Sequence, residues 1–176
     1  MHLKQIILSS LEYNLWVNEQ YDKWLSDKSD VVLTSHVDSS FPSMLLTLQH
    51  ILQTQEYWWS VLMERQNIAV ERQEEDGLNR DQVFDSLIEN SRLILNHFNA
   101  LSEDELLKTL AIKNEWFSCN FSKFEYVQQL MYHAAYHRGQ VVTIGRNLGI
   151  IDAPLTDYNF WNLYKDRTDI FAGMGN

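Results

Sequence analysis

The chain has 176 residues, which predicts one domain over residues 1–176, and its six Gly and two Pro allow few turns between long helices. This composition argues against a β-sandwich, a β-barrel or a collagen-like chain. A net charge of −10, with no cluster of Lys or Arg, argues against nucleic-acid and anionic-membrane partners. The one cysteine, Cys119, forms no internal disulfide and suits a cytoplasmic protein, and we expect neither a secretory leader nor a membrane span.

The first part of the chain predicts two long helices joined by a polar linker. Apolar residues at helical spacing predict the first helix over about residues 3–25, and the linker follows over residues 27–39. The second helix is predicted to begin near Ser40 and to end near residue 65. Ser40 would cap its free N–H groups, and Pro42 is tolerated in a first turn.

A charged connection over residues 66–77 leads to the third predicted helix, over residues 79–101. Asn79 and Gln82 have the spacing of a capping box at its start. Residues 102–105 have the same kind of spacing and predict a short helical turn.

A small hairpin is predicted next, with strands at residues 109–112 and 116–121. The fourth long helix begins with a capping box at residues 122–125. It is expected to run to Leu148 and to stop at Gly149, because Gly is favoured just after a helix.

A short last helix is predicted over about residues 156–167. The fold class is therefore all-α, a four-helix bundle with a small hairpin between the third and fourth helices and a short C-terminal helix. The connections after the second and third helices are long enough to cross the bundle, so a simple up-down order is not required.

Two histidines on the fourth helix, His133 and His137, are four residues apart and share one helix face. Their face is otherwise apolar, so they should point inward, where polar groups need partners. A metal ion is one such partner, and hydrogen bonds to Tyr, Gln or a backbone carbonyl are another. The motif lacks the Glu of the H-E-x-x-H metalloproteases, because residue 134 is Ala, so that mechanism is rejected.

A third histidine, His50, lies in the middle of the second helix. Taken alone, it is interpreted as a core or groove histidine. Three histidines on two packed helices, however, make the three-ligand set of an open metal site, in which water or substrate takes the fourth position.

The remaining candidates are interpreted as structural or exposed. His2 and His36 lie near the terminus and in the linker, and should be solvated. His97 is interpreted as structural or exposed. Cys119 has no neighbour that would lower its pKa, so it is interpreted as an inert thiol.

The string His133-x-x-x-His137-Arg138-Gly139-Gln140 resembles the DinB superfamily. The resemblance extends over about residues 11–161. Its further signs are Tyr13-x-x-Trp16-x-Asn18, Ser40-Phe41-x-Ser43, Thr47-Leu48-x-His50-Ile51-Leu52, Glu56-x-x-Trp59, Leu148-Gly149, Pro154 and Asp157-Tyr158.

This resemblance implies a four-helix bundle, often up-down-down-up, and often a homodimer. It implies one divalent metal ion per chain, zinc or nickel, on His50, His133 and His137. Known activities in the superfamily include thiol S-transfer with bacillithiol or related low-molecular-weight thiols, a mycothiol-dependent isomerisation and metal-dependent hydrolysis. Arg138 and Gln140 follow the motif and would support the site, although helix packing is the favoured interpretation of Arg138.

Two functions are consistent with the sequence. In the first, the protein is an enzyme that activates a thiol or a water on its metal, as an S-transferase or a hydrolase acting on a small molecule. In the second, it is a metal- or ligand-binding module in a stress response, without turnover. Asp157 would cap the last helix or contact a histidine, and Gly139 would make room for a close helix or a ligand near the site.

Overall fold

The computed structural model describes residues 2–65, 77–114 and 117–165. Four long helices dominate it, and a two-stranded sheet lies between the last two of them, as the sequence predicts. In chain order the described elements are α1 Leu3–Leu25, α2 Asp30–Leu33, α3 Met44–Leu62, α4 Arg80–Ala100, α5 Glu103–Leu107, β1 Thr109–Lys113, β2 Ser118–Ser122, α6 Lys123–Asn147 and α7 Tyr158–Tyr164.

The long helices form a bundle in which α1 and α3 each pack against both α4 and α6. Its interior contains two apolar clusters, one around Trp24, Leu48 and Val141 and the other around Trp58 and Phe98. Burial of this apolar surface is the main force that holds the helices together.

A layer of polar side chains separates the two clusters. On α1, α3 and α4 the change from one cluster to the other coincides with Asn14, Gln55 and Ser91, which are all buried. The amide of Gln55 donates to the hydroxyl of Ser91 and to the carbonyl of Leu87. Buried polar groups in this layer are therefore paired across helices, as burial requires.

The predicted start of the second helix is wrong. The helix α3 begins at Met44, and Ser43 is its N-cap, because the Ser43 hydroxyl accepts the hydrogen bond from the Leu46 amide. The carbonyl of Pro42 accepts a hydrogen bond from Val37 instead, so Ser40 and Pro42 lie in a bend before the helix. At its other end the helix stops at Leu62 rather than near residue 65.

The boundaries of α4, α5 and α6 confirm the sequence predictions. Capping boxes at Asn79, Ser102 and Ser122 begin these helices. Gly149 ends α6 with a φ of 84°, a conformation that favours glycine. The amide of Ile150 bonds the carbonyl of Gly145, which is the Schellman arrangement.

The hairpin is confirmed, with β1 and β2 antiparallel and Thr109 opposite Ser122. The hydroxyl of Tyr126 on α6 fastens it to the bundle by donating to the Leu110 carbonyl and accepting from the Phe121 amide. Because the phenol is buried and also contacts the Cys119 thiol, its pKa is raised to about 12.

Three smaller features complete the fold. The four-residue helix α2 interrupts the predicted linker, and its first turn is capped by the Ser29 hydroxyl. The last helix begins at Tyr158, two residues later than predicted, and its expected end near residue 167 lies outside the described residues, as does most of the predicted connection over residues 66–77. None of the described helices combines the length and apolar character that a bilayer crossing requires.

Candidate metal centre

The packing of α3 against α6 brings three histidines into one cluster. His50 lies in the second turn of α3, and His133 and His137 lie one turn apart on the facing side of α6. Each ring contributes one nitrogen to a group in which all three atoms lie within 4.8 Å of one another. The structure thus brings together all three histidines that the sequence singles out.

The rings are close enough to share one ion. The Nε2 atoms of His50 and His133 are 3.1 Å apart. The ring centroid of His137 lies 4.5 Å from that of His50 and 4.4 Å from that of His133. Two imidazole nitrogens that each bind a zinc ion at about 2.0–2.1 Å are separated by a little over 3 Å, so the spacing fits a common ion.

Burial keeps the His133 imidazole neutral. His137 is buried, and His50 and His133 are half-buried. Burial, with the neighbouring His137 ring as the smaller cause, lowers the pKa of His133 to about 4. A neutral ring keeps a nitrogen lone pair, which is the form that binds a metal ion.

Two aromatic rings border the cluster. Phe41 stacks on His50 at a centroid distance of 4.0 Å and forms a T-shaped pair with His137 at 5.6 Å. Tyr136, which is exposed, lies edge-on to His137 at 4.9 Å. The bend over residues 40–43, which the sequence assigned to the start of the second helix, therefore supplies one wall of the site.

Gln140 contacts the cluster directly. Its Oε1 atom lies 2.7 Å from Nδ1 of His137, one helical turn earlier, and its Nε2 atom lies 3.5 Å from the Ser40 hydroxyl. The sequence indicated a supporting role for this position but could not identify its partners.

Arg138 is buried on a different side of α6 from the two histidines. Its position confirms the interpretation of Arg138 as a packing residue. Its Nη1 atom donates to the side-chain oxygens of Asn14 at 2.7 Å and Asn18 at 3.2 Å. Both partners are neutral amides, and no carboxylate pairs with this guanidinium among the described residues. Asn14 was missed by the sequence analysis, although its four-residue spacing from Asn18 on a buried helix face was a usable signal.

The expectation for Gly139 is only partly met. No atom lies within 4 Å of the position that a Cβ atom would take, so no helix approaches it closely in the described structure. Open space surrounds it instead. A cavity of about 210 Å³ lies on the side of Tyr136 and Gln140, and one of about 400 Å³ lies on the side of Tyr21 and Arg138.

The other predicted residues lie away from the cluster. His97 is partly buried against Trp59, and burial lowers its pKa, whereas His2 and His36 are exposed. Asp157 is the N-cap residue of α7, as predicted, but its side chain makes no capping hydrogen bond. Its backbone carbonyl accepts the first hydrogen bonds of the helix instead.

Comparisons with known proteins identify the family of this chain. A sequence model of the DinB family matches residues 1–168. This chain belongs to the DinB family. Among curated proteins, the DinB protein of Bacillus subtilis strain 168 is 27% identical over 167 residues, covering 90% of this chain and 94% of the relative.

A solved structure supports the same fold. The crystal structure of the DinB-like protein YjoA from Bacillus subtilis matches with a TM-score of 0.63 and 18% identity, and covers 86% of this chain and 97% of that one. At this identity the match shows the DinB fold alone. Membership of the DinB family and the three-histidine cluster are together compatible with metal binding.

Proposed function

We propose that this DinB-family protein is a metal-dependent enzyme with one divalent ion per chain, zinc or nickel, held by His50, His133 and His137. It would activate a thiol or a water molecule for attack on a small molecule. The observation that carries the proposal is the convergence of three imidazoles from two helices within 4.8 Å.

The chemistry of the donors fits such an ion. Neutral imidazole is a common ligand of zinc and nickel, and the pKa of His133, lowered to about 4, leaves that ring neutral near pH 7. Three protein ligands are the usual number in catalytic zinc sites, where the fourth position takes water or substrate.

When bound, the ion would lower the pKa of a thiol or water ligand towards neutrality and so supply a nucleophile. The residues of the chain would position the reactants. Phe41 and Tyr136 cover part of the cluster with apolar surface. A thiol nucleophile gives an S-transferase, and a water nucleophile gives a hydrolase.

A second candidate is a metal- or ligand-binding module without turnover. One observation favours it: among the described residues, the cluster contains three histidines and no carboxylate that could act as a general base. In this case the ion and a small ligand would bind tightly, and no reaction would follow.

We also propose that the protein works in the cytoplasm as a homodimer and acts on a small molecule, with no nucleic-acid or membrane partner. The charge of −10 and the single cysteine support this setting.

Metal analysis tests the site. Protein purified without chelators should contain about one divalent ion per chain. The double variant His50→Ala/His133→Ala should lose the ion. His97→Ala is the matched control, because this histidine is on α4, outside the cluster, and it should keep the ion. Full occupancy in the double variant would overturn the assignment.

A turnover screen separates the two candidate functions. Metal-loaded protein is mixed with low-molecular-weight thiols and electrophiles, and separately with hydrolysable esters and amides. Turnover that disappears in His50→Ala/His133→Ala supports the enzyme. Tight binding of metal and ligand without turnover supports the binding module.

A further inference from the structure

We propose that Gln140 is a positioning residue that fixes the tautomer of His137, with the proton on Nδ1 and the lone pair of Nε2 directed to the metal position. The inference rests on the proposed metal site and extends it to a residue outside the ligand set. It begins from the 2.7 Å contact between Nδ1 of His137 and Oε1 of Gln140.

The contact determines which nitrogen of His137 is available. An atom that already makes a hydrogen bond of 2.7 Å does not bind an ion at the same time, so Nδ1 is excluded as the ligand. A neutral imidazole has one N–H and one lone pair. Because a carboxamide oxygen accepts a hydrogen bond, Nδ1 carries the proton and Nε2 carries the lone pair.

The other two histidines also direct their Nε2 atoms into the cluster. His50 and His133 meet through their Nε2 atoms, 3.1 Å apart. With Nδ1 of His137 held by Gln140, all three rings offer Nε2. Metal-binding histidines generally donate their second ring nitrogen to an oxygen that fixes the tautomer and the ring orientation.

Gln140 also contacts a second element. Its backbone is part of α6, one turn after His137, and its Nε2 atom lies 3.5 Å from the hydroxyl of Ser40. Ser40 belongs to the bend that also holds Phe41 against His50. One side chain thus links His137 to the bend that covers a second ligand, and it is neutral, so it adds no charge beside the ion.

The substitution Gln140→Met tests this role, because Met has a similar length and no hydrogen-bond acceptor of comparable strength. The Kd for Zn²⁺, measured by competition with a chelating indicator, should rise by about 10- to 100-fold. Gln140→Glu keeps an oxygen acceptor and should retain most of the affinity. Gln129→Met is the matched control, since Gln129 is exposed on the same helix, and its Kd should be that of the unmodified protein.

A second measurement needs no variant. Long-range ¹H–¹⁵N spectra of the metal-free protein report the tautomer of each histidine, and His137 should show the proton on Nδ1. In Gln140→Met the same ring should shift towards the Nε2-protonated form. A purely structural role of Gln140 would lower the melting temperature of the variant without moving this signal.

The outcomes separate the inference from the proposed function. An unchanged Kd in Gln140→Met, or a proton on Nε2 of His137 in the unmodified protein, overturns the role of Gln140 and leaves the metal site standing. Failure of the unmodified protein to bind Zn²⁺ overturns the metal site, and the metal-free spectra then still test whether Gln140 fixes the tautomer.

Discussion

Asn14 and Arg138 should be energetically coupled, because a buried guanidinium has few alternatives when it loses a partner. Arg138 is 4% exposed and Asn14 is 1% exposed, and the hydrogen bond between them is 2.7 Å long. The substitution Asn14→Ala removes the shorter of the two hydrogen bonds that Nη1 makes and leaves only Asn18 as its partner. The test is a double-mutant cycle with Asn14→Ala and Arg138→Met.

The expected magnitude follows from the partners that each change removes. A hydrogen bond to a charged group contributes about 1.5–3 kcal/mol, and a bond between neutral groups about 1 kcal/mol. Asn14→Ala loses the Arg138 bond and a weaker 3.3 Å bond to Gln55, so the cost should be about 3 kcal/mol. When Arg138 is already Met, only the Gln55 bond remains to be lost, at about 1 kcal/mol.

Urea unfolding of the four proteins, followed by circular dichroism, measures the coupling. The free energies should differ from additivity by about 2 kcal/mol. In a protein of this length such a difference corresponds to about 4–8 °C in the melting temperature. Additive effects of the two substitutions would contradict the account of a buried cation held by neutral amides.

Three further predictions concern residues outside the histidine cluster. Tyr126→Phe removes the hydroxyl that pairs with two backbone groups of the hairpin, so the free energy of unfolding in urea should fall by about 2 kcal/mol, and an unchanged value would refute this role. Gly149→Ala should lower the free energy of unfolding by about 1 kcal/mol, because Gly149 has a φ of +84°. Gly139→Ala should raise the free energy of unfolding by about 1 kcal/mol, because Gly139 lies within a helix and an added Cβ atom would meet no other atom. Equal effects of the two substitutions would contradict the geometry. Hydrogen bonds from Ser122 lower the pKa of the Glu125 carboxyl group. These hydrogen bonds should therefore stabilise the folded protein fully above the ordinary Glu pKa, and this stabilisation should decrease as the pH falls through the lowered pKa of Glu125. Glu125→Gln should reduce this dependence in pH-dependent urea unfolding, and an unaltered pH profile would count against it.

The sequence predicted those parts of the fold that depend on local signals. Capping boxes at Asn79, Ser102 and Ser122 and the glycine at position 149 mark helix ends that the structure confirms. The start of α3 was misplaced because Ser40 and Ser43 are both acceptable caps. The choice between them depends on the bend before α3, in which the Val37 amide donates a hydrogen bond to the Pro42 carbonyl. The residue types at these positions do not predict that hydrogen bond.

For the candidate site too, local signals predicted some residues, and contacts between distant segments determined the others. Helical spacing placed His133 and His137 on one face, and His50 on another predicted helix completed a three-histidine set that the family resemblance also implied. The stacking of Phe41 on His50 and the network of Asn14 with Arg138 depend on how distant segments pack. Apart from the four-residue spacing of Asn14 and Asn18 on one helix face, a single sequence contains no local signal for such contacts.

The most direct test of the central claim is a crystal structure of the protein loaded with Zn²⁺, with anomalous data collected on both sides of the zinc absorption edge. The account predicts one anomalous peak per chain, about 2.0–2.1 Å from a ring nitrogen of each of His50, His133 and His137. A peak at other residues, or histidine rings without an anomalous peak between them in a loaded crystal, would contradict it.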